Sequence, residues 1–167
     1  MKKIGFIGCG NMANAMISGI LASGALKPAE IIASNHTLPK LKIAHKNFGI
    51  DVTPDNKKTA SESEILVLAV KPQVCKDVIK EISSAVPENC IVVTLAAGMT
   101  ITQLEKLFGR PVKLIRAMPN TPALVREGMT ALCPGKTVTP VELEQVRSLF
   151  ESFGRAETVS ENMMDAV

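Results

Sequence analysis

A glycine-rich turn near the start of the chain constrains the fold more than any other feature. Ile4 to Ile7 predict a short strand, and the turn Gly8-Cys9-Gly10-Asn11-Met12-Ala13 follows it directly. Residues 11–23 then predict a helix, which Gly24 ends because glycine readily adopts the left-handed conformation found after helix C-termini. The order strand, glycine turn, helix is typical of the first unit of a parallel α/β fold.

The small residues of this turn have the spacing G-x-G-x-x-G/A, which is the dinucleotide-binding fingerprint. In that motif Gly8 permits a tight turn, Gly10 lets the backbone approach a pyrophosphate, and Ala13 lets the helix pack closely on the strand. The helix N-terminus offers free N–H groups to the diphosphate. The alternative, a turn that only joins two packed elements, is disfavoured by the strand and helix on either side.

The rest of the sequence repeats the alternation of apolar strands and amphipathic helices. Strands are predicted at residues 31–34, 51–52, 65–70, 91–95, 112–117, 129–133 and 156–159, and helices at 39–48, 74–84, 101–108 and 140–153. Two prolines in the segment 118–122 interrupt the pattern. The predicted fold class is α/β, a Rossmann-like doubly wound and mainly parallel sheet with helices on both faces.

The end of the second predicted strand favours NADP over NAD. An NAD site is expected to place an acid there to bind the ribose 2′-hydroxyl, but this chain has Ser34-Asn35-His36. No acid occurs between Glu30 and Asp51, and Lys40 and Lys42 follow closely. Donors therefore replace a repelling carboxylate, with more weight on Ser34 and Asn35 than on the lysines, because surface lysines are commonly only solvated.

Asn56 follows the third predicted strand, and two roles are open to its amide. It can contact the adenosine half of a dinucleotide, or it can cap the short helix that comes next, which the spacing alone favours. The loops 69–73 and 96–98 follow the carboxyl ends of two buried strands, where doubly wound folds bind ligands.

The composition of the chain restricts the classes of molecule that it is expected to bind. The net charge of +3 comes from scattered side chains, and the sequence has no Trp or Tyr, so neither a basic track nor stacking platforms favour nucleic acid. No apolar run is long enough to span a bilayer, and the first residues do not resemble a signal peptide. The four cysteines and two histidines are too scattered to predict a metal site. A soluble, cytoplasmic protein without metal is expected.

Four segments in this order resemble pyrroline-5-carboxylate reductase. They are residues 4–13, Ala69-Val70-Lys71-Pro72-Gln73, Ala96-Ala97-Gly98 and Ala117-Met118-Pro119-Asn120-Thr121-Pro122. The first segment is shared with many dehydrogenases, whereas the second and fourth are far more specific. The resemblance covers essentially the whole chain.

The resemblance implies a role for each of these segments. The pyrophosphate is held by Ile7, Gly8, Cys9, Gly10, Asn11 and Met12. Asn35 lies at the 2′-phosphate and Asn56 at the adenosine ribose, which outweighs the capping alternative. The cofactor is lined by Ala69, Val70, Lys71, Pro72, Ala96, Ala97 and Gly98. Asn120 is implied to lie near the nicotinamide and the imine, as the candidate catalytic-site residue.

Members of that family continue into an all-helical domain that builds the homo-oligomer and binds the substrate carboxylate. We therefore expect residues 1–160 to form the NADP-binding domain and residues 161–167 to begin a truncated helical domain, with Ser160 as the cap of its first helix. The chain by itself is then expected to have an incomplete active site.

The implied activity is the NADPH-dependent reduction of 1-pyrroline-5-carboxylate to L-proline, the last step of proline biosynthesis. One alternative is a reductase of the 3-hydroxyacid dehydrogenase type, against which the segment 118–122 argues. The other is a non-catalytic NADP-binding module, since a fold alone does not fix a function.

Overall fold

The computed structural model describes residues 1–166, and Val167, the last residue of the predicted 161–167 segment, lies outside the described residues. Within that range the chain forms one sheet of eight strands in the order β3-β2-β1-β4-β5-β6-β7-β8. The strands are β1 (Lys2–Ile7), β2 (Ile31–Ser34), β3 (Asp51–Thr53), β4 (Ser63–Leu68), β5 (Ile91–Thr94), β6 (Lys113–Met118), β7 (Gly128–Pro134) and β8 (Gly154–Thr158).

Helices connect these strands across both faces of the sheet. The α-helices are α1 (Asn11–Ala22), α2 (Leu38–Phe48), α3 (Asn56–Ser61), α4 (Pro72–Ile82), α5 (Ile101–Phe108) and α6 (Pro140–Phe150). Short 3-10 helices occur at Pro28–Glu30, Thr121–Val125, Glu151–Phe153 and Glu161–Ala166. No helix among residues 1–166 has the length and apolar character needed to cross a membrane.

The sheet is parallel except at one pair. β6 and β7 run antiparallel, with Met118 opposite Ala131, whereas all other neighbouring strands are parallel. The central strands β4 and β5 are almost entirely apolar and buried because helices cover both of their faces. This arrangement confirms the predicted doubly wound, mainly parallel sheet.

Two apolar cores lie on opposite sides of the sheet. One core contains side chains from α1, α2 and α6, among them Met16, Ile20 and Phe150. The other contains side chains from α3, α4 and α5, among them Ile79 and Leu104. Burial of these helix faces supplies the main stabilising free energy of the layers.

Local sequence signals set the ends of several elements. Thr100 caps α5 by accepting a hydrogen bond from the Gln103 amide, and the Gln103 side chain returns one to Thr100 N. Gly109 ends the same helix with φ +66°. As a result α5 occupies the predicted residues 101–108. The bounds of β2, residues 31–34, also match the prediction.

Most elements differ from their predicted bounds by one to three residues, and two of these differences have a clear structural cause. β4 ends at Leu68, because Leu68 is the last residue paired with both β1 and β5, so residues 69–70 leave the sheet. The α-helix predicted to reach residue 153 ends at Phe150 and tightens into a 3-10 turn. That turn stacks Phe153 beside Phe150, with ring centroids 5.2 Å apart.

A buried arginine attaches the last described segment to the sheet. The side chain of Arg116 in β6 is 3% exposed, and its guanidinium donates hydrogen bonds to the carboxylates of Glu161 and Asp165, each at 3.3 Å. Glu161 also accepts a hydrogen bond of 2.6 Å from Ile101 N at the start of α5. Met164 is fully buried beside β7. Residues 161–166 are thereby held against β6, β7 and α5.

The start of β8 tolerates only glycine, which gives a prediction about stability. Gly154 has φ +146°, and a Cβ atom there would lie 2.0 Å from the Gly128 carbonyl oxygen. We expect Gly154→Ala to reduce the free energy of unfolding by about 3 kcal/mol or more, measured by urea denaturation. Gly109→Ala is the matched control, because its Cβ would meet no atom within 4 Å. The control should lose about 1 kcal/mol, and equal losses would contradict the steric explanation.

Candidate functional site

The candidate site is a crevice at the carboxyl end of β1. The connection after β1 leads to β2 on one side, whereas the chain later crosses to β4 on the other side. The loops after β1 and β4 therefore diverge, and doubly wound folds bind ligands where this happens. The resulting cleft has a volume of about 400 Å³ and is lined by the loops after β1, β2 and β4 together with the starts of α2, α3 and α4.

The fingerprint turn is fixed by close contact with the neighbouring strand. Gly8 has φ +107°, and a Cβ atom there would lie 2.4 Å from the Ala69 carbonyl oxygen. Gly8 N donates to the Ser34 carbonyl (2.8 Å), and Ala69 N donates to the Ile7 carbonyl (2.9 Å). Three strand ends are thus tied together by backbone hydrogen bonds, and Gly8 is required by the packing itself.

Gly10 differs from Gly8 because the space above it is open. A Cβ atom at Gly10 would meet no protein atom within 4 Å. Gly10 precedes α1, whose first turn has no acidic residue and no side-chain cap. The N–H groups at this helix end therefore face an open cleft, which is a favourable environment for an anion. Asn11 and Met12 begin this helix, and Asn11 is exposed.

The cleft wall after β2 is rich in donors. Asn35, His36, Thr37 and Lys40 all line it, whereas Lys42 on the same helix does not. Asn35 Nδ2 is buried and has no hydrogen-bond partner among the described residues. A buried donor without a partner is costly, so its orientation fits a site that a ligand acceptor completes.

Asn56 lines the same cleft as the first residue of α3. The cap of α3 is Asp55, whose Oδ1 accepts hydrogen bonds from Lys57 N (2.9 Å) and Lys58 N (3.2 Å). The capping role that spacing alone assigned to Asn56 is therefore wrong, because the neighbouring carboxylate takes it. The side chain of Asn56 instead lines the cleft, where it is hydrogen-bonded to Ser34 and Glu81.

Ser34, predicted as a direct ligand of the 2′-phosphate, lies beneath the cleft surface. The residue is 0% exposed, and its hydroxyl donates a hydrogen bond of 2.7 Å to Asn56 Oδ1. The strand-end position suggested a ligand contact, but the neighbouring side chain at α3 cannot be seen from sequence spacing.

The remaining predicted cofactor residues lie at the carboxyl ends of β4 and β5. Ala69, Val70 and Lys71 line the cleft, and Pro72 begins α4. Ala96 is buried with its N–H on Thr94 Oγ1 (3.2 Å), while Ala97 and Gly98 are exposed. The second loop therefore continues the same edge of the sheet beside the cleft.

Asn120 follows β6 and lies outside the cleft described above. Its Oδ1 accepts a hydrogen bond of 2.9 Å from Met129 N. The side chain therefore ties the loop after β6 to the start of β7. Because β6 is parallel to β5, this loop leaves the same edge of the sheet as the cleft loops.

Sequence reasoning missed two apolar residues of the cleft wall, Val74 and Val78. They are four residues apart on α4, so they share one helix face. Their i, i+4 spacing after Pro72 was the available sequence signal, whereas the exposure of Val74, 45%, is visible only in the structure. Among residues 1–166 no group of three or more His, Cys, Asp or Glu side chains is placed to hold a metal ion.

Comparisons with known proteins agree with this geometry. Residues 3–98 match the family described as NADP oxidoreductase coenzyme F420-dependent. The chain is 42% identical over 166 residues to pyrroline-5-carboxylate reductase of Escherichia coli (strain K12), covering 99% of this chain and 62% of that protein. The chain therefore spans about three fifths of the length of the curated relatives it matches.

Solved structures show the same relation. A pyrroline-5-carboxylate reductase from Coxiella burnetii is similar with a TM-score of 0.92 and 36% identity, over 97% of this chain and 60% of that one. A Plasmodium falciparum pyrroline carboxylate reductase, solved with NADP bound, is similar with a TM-score of 0.88 and 29% identity, over 98% of this chain and 60% of that one.

The thiol in the fingerprint turn should be unreactive. Burial raises the pKa of Cys9 to about 11, although the charge of Lys40 lowers it. Since the thiolate is the nucleophile, we expect iodoacetamide to alkylate Cys9 at about pH 8 on the order of a hundredfold more slowly than a free cysteine. The rate should rise about tenfold per pH unit between about pH 7 and pH 10, as the thiolate fraction grows.

The measurement is peptide mapping by mass spectrometry, with the guanidinium-unfolded chain as the control. Alkylation of native Cys9 as fast as in the unfolded chain would contradict the burial of this thiol.

Proposed function

Because this chain belongs to the family of NADP oxidoreductases described as coenzyme F420-dependent, we propose that it is the NADP-binding part of a pyrroline-5-carboxylate reductase. The single observation that carries the proposal is the chemistry of the cleft. An uncapped helix N-terminus, an orphaned buried amide at Asn35 and the nearby Lys40 all offer donors to phosphate groups. The similarity to the reductases of Escherichia coli and Coxiella burnetii supplies the reaction.

The cofactor is assigned to the cleft by charge and shape. The open space above Gly10 admits a diphosphate to the N–H groups of α1. Asn35, His36 and Lys40 would meet a 2′-phosphate, and no acidic side chain among residues 1–166 lines the cleft. These donors favour NADPH over NADH, because the 2′-phosphate is the group that distinguishes the two.

The chemistry that the cofactor supplies is hydride transfer to the imine carbon of the substrate. The residues of this chain would contribute by binding and orientation. Gly8 and Gly10 set the distance between backbone and diphosphate, and the loops 69–72 and 96–98 would hold the remainder of the cofactor along the sheet edge. Positioning of the two reactants is then the main catalytic contribution of the protein.

Asn120 is proposed to lie near the nicotinamide and the imine. With Oδ1 engaged by Met129 N, its Nδ2 group is left to donate to a ligand. No His or paired carboxylate occurs in the loops 69–73, 96–98 or 118–122, so we assign no protein side chain as the proton donor.

This chain matches about three fifths of the length of its relatives, and we propose that the rest of that length forms a helical domain that starts near residue 161. That domain would form the homo-oligomer and bind the substrate carboxylate. A cytoplasmic location is also proposed. It is supported by the four cysteines, which are all buried and unpaired, as is typical of proteins from reducing compartments.

The direct test of the function follows the loss of reduced-nicotinamide absorbance when NADPH and pyrroline-5-carboxylate are mixed with the 167-residue chain. We expect NADPH binding with little or no turnover, and turnover with proline formation by a longer protein that contains this sequence. Turnover by the chain itself would support the proposed substrate and would refute the expectation that its active site is incomplete. A longer protein that binds NADPH but makes no proline would overturn the proposed activity.

The two lysines of α2 provide a matched pair for the cofactor preference. Lys40 lines the cleft and Lys42 does not. We expect Lys40→Met to raise the Kd for NADPH about five- to tenfold, because one charge-assisted contact to the 2′-phosphate is lost. The Kd for NADH should change less than about twofold, and Lys42→Met should leave both unchanged within the same margin.

The measurement is fluorescence titration at low ionic strength, where the charge effect is least screened. Equal effects of the two lysine substitutions would refute the placement of the 2′-phosphate beside Lys40.

A further inference from the structure

A chain of three side chains runs from beneath the cleft to the protein surface. The Ser34 hydroxyl donates to Asn56 Oδ1 at 2.7 Å, and Asn56 Nδ2 donates to Glu81 Oε2 at 3.1 Å. Ser34 ends β2, Asn56 begins α3, and Glu81 lies in the last turn of α4. Three separate elements therefore meet at the amide of Asn56, which itself lines the cleft.

The carboxylate of Glu81 selects one orientation of that amide, and Ser34 holds it there. A carboxylate only accepts hydrogen bonds, so Glu81 must face the N–H₂ side of Asn56. Oδ1 then faces Ser34, whose hydroxyl is fully buried and can donate to it. Turning the amide over would place its oxygen against the carboxylate, which disfavours the reversed orientation. The Ser34 hydroxyl holds the selected orientation by donating to Oδ1.

Ser34 is itself rigidly attached to the fingerprint turn. Its carbonyl oxygen accepts a hydrogen bond of 2.8 Å from Gly8 N, and its Cα is in register with Ile7 of β1. Through Ser34, the Asn56 amide is therefore connected to the end of β1, which also begins the diphosphate site. The Asn56 side of the cleft and the diphosphate side are positioned by the same strand end.

We propose that Ser34 and Glu81 are positioning residues that hold Asn56 in its binding orientation, and that Ser34 acts through Asn56 and not on the 2′-phosphate. This inference rests on the proposed function, because it takes the ligand to be a dinucleotide whose adenosine ribose meets Asn56. We take Asn56 to meet the ring and 3′-hydroxyl of that ribose, which NADPH and NADH share, and not the 2′ position at which they differ. Loss of either positioning residue should therefore weaken both cofactors equally, unlike loss of a phosphate ligand.

The test measures the Kd of the 167-residue chain for NADPH and for NADH by fluorescence titration. We expect Ser34→Ala and Glu81→Ala to raise both values about threefold to tenfold. Glu81→Gln keeps an acceptor and should stay within about twofold of the wild-type chain. Asp77→Ala is the control, because Asp77 is an exposed acid on the same helix that does not line the cleft.

A double-mutant cycle separates positioning from general damage. In an Asn56→Ala background, Ser34→Ala and Glu81→Ala should each change the Kd by less than about twofold, since the group they position is gone. A thermal melt of each variant records stability separately. If Ser34→Ala does not fold, the Glu81 series on the surface still decides the proposal.

Three results would overturn the inference. The first is an effect of Ser34→Ala on NADPH without an effect on NADH, which would make Ser34 a phosphate ligand. The second is an effect of Ser34→Ala or Glu81→Ala that persists in the Asn56→Ala background. The third is a Glu81→Gln variant as weak as Glu81→Ala. A wild-type chain that binds neither cofactor would instead overturn the proposed function, so the two failures are distinguishable.

Discussion

The cleft depends on the pairing of β1 with parallel strands on both sides. β2 and β4 both end level with β1, and their connections leave in opposite directions. The backbone of Gly8 then approaches the Ala69 carbonyl so closely that no side chain fits between them. If this contact were opened, the turn, the start of α1 and the loop after β4 would separate together. The shape of the site is therefore a property of the sheet and not of any single loop.

Much of the fold could be predicted from sequence because local and tertiary preferences agree. Thr100 and Gly109 bracket a helix that also buries Leu104 and Phe108, so the predicted bounds of α5 are confirmed. The direction of β7 was a different matter. Its residues have strand propensity in either orientation, and the antiparallel pairing with β6 is decided by the 3-10 turn Thr121–Val125 that reverses the chain. A pattern of apolar residues contains no information about that reversal.

The candidate site was predictable to the level of the loop but not always to the level of the side chain. Residues 7–10 and 69–71 line the same cleft, since strand ends of a parallel sheet share one edge. Ser34 and Lys42 show that the direction of a side chain could not be predicted from the sequence. A residue at a strand end faces either the ligand or the layer below, and a lysine on a short helix faces either the cleft or solvent. Those choices depend on the rotation of α2 and α3 against the sheet, which is fixed by burial of side chains such as Leu41 and Ala60.

The ion pairs of Arg116 attach residues 161–166 to the same strand that leads into the Asn120 loop. The guanidinium that holds Glu161 and Asp165 lies two residues before Met118, where the Asn120 loop begins. The positions of residues 161–166 and of that loop are consequently both set by strand β6. Because both are attached to one strand of the sheet, their relative position does not depend on a bound ligand.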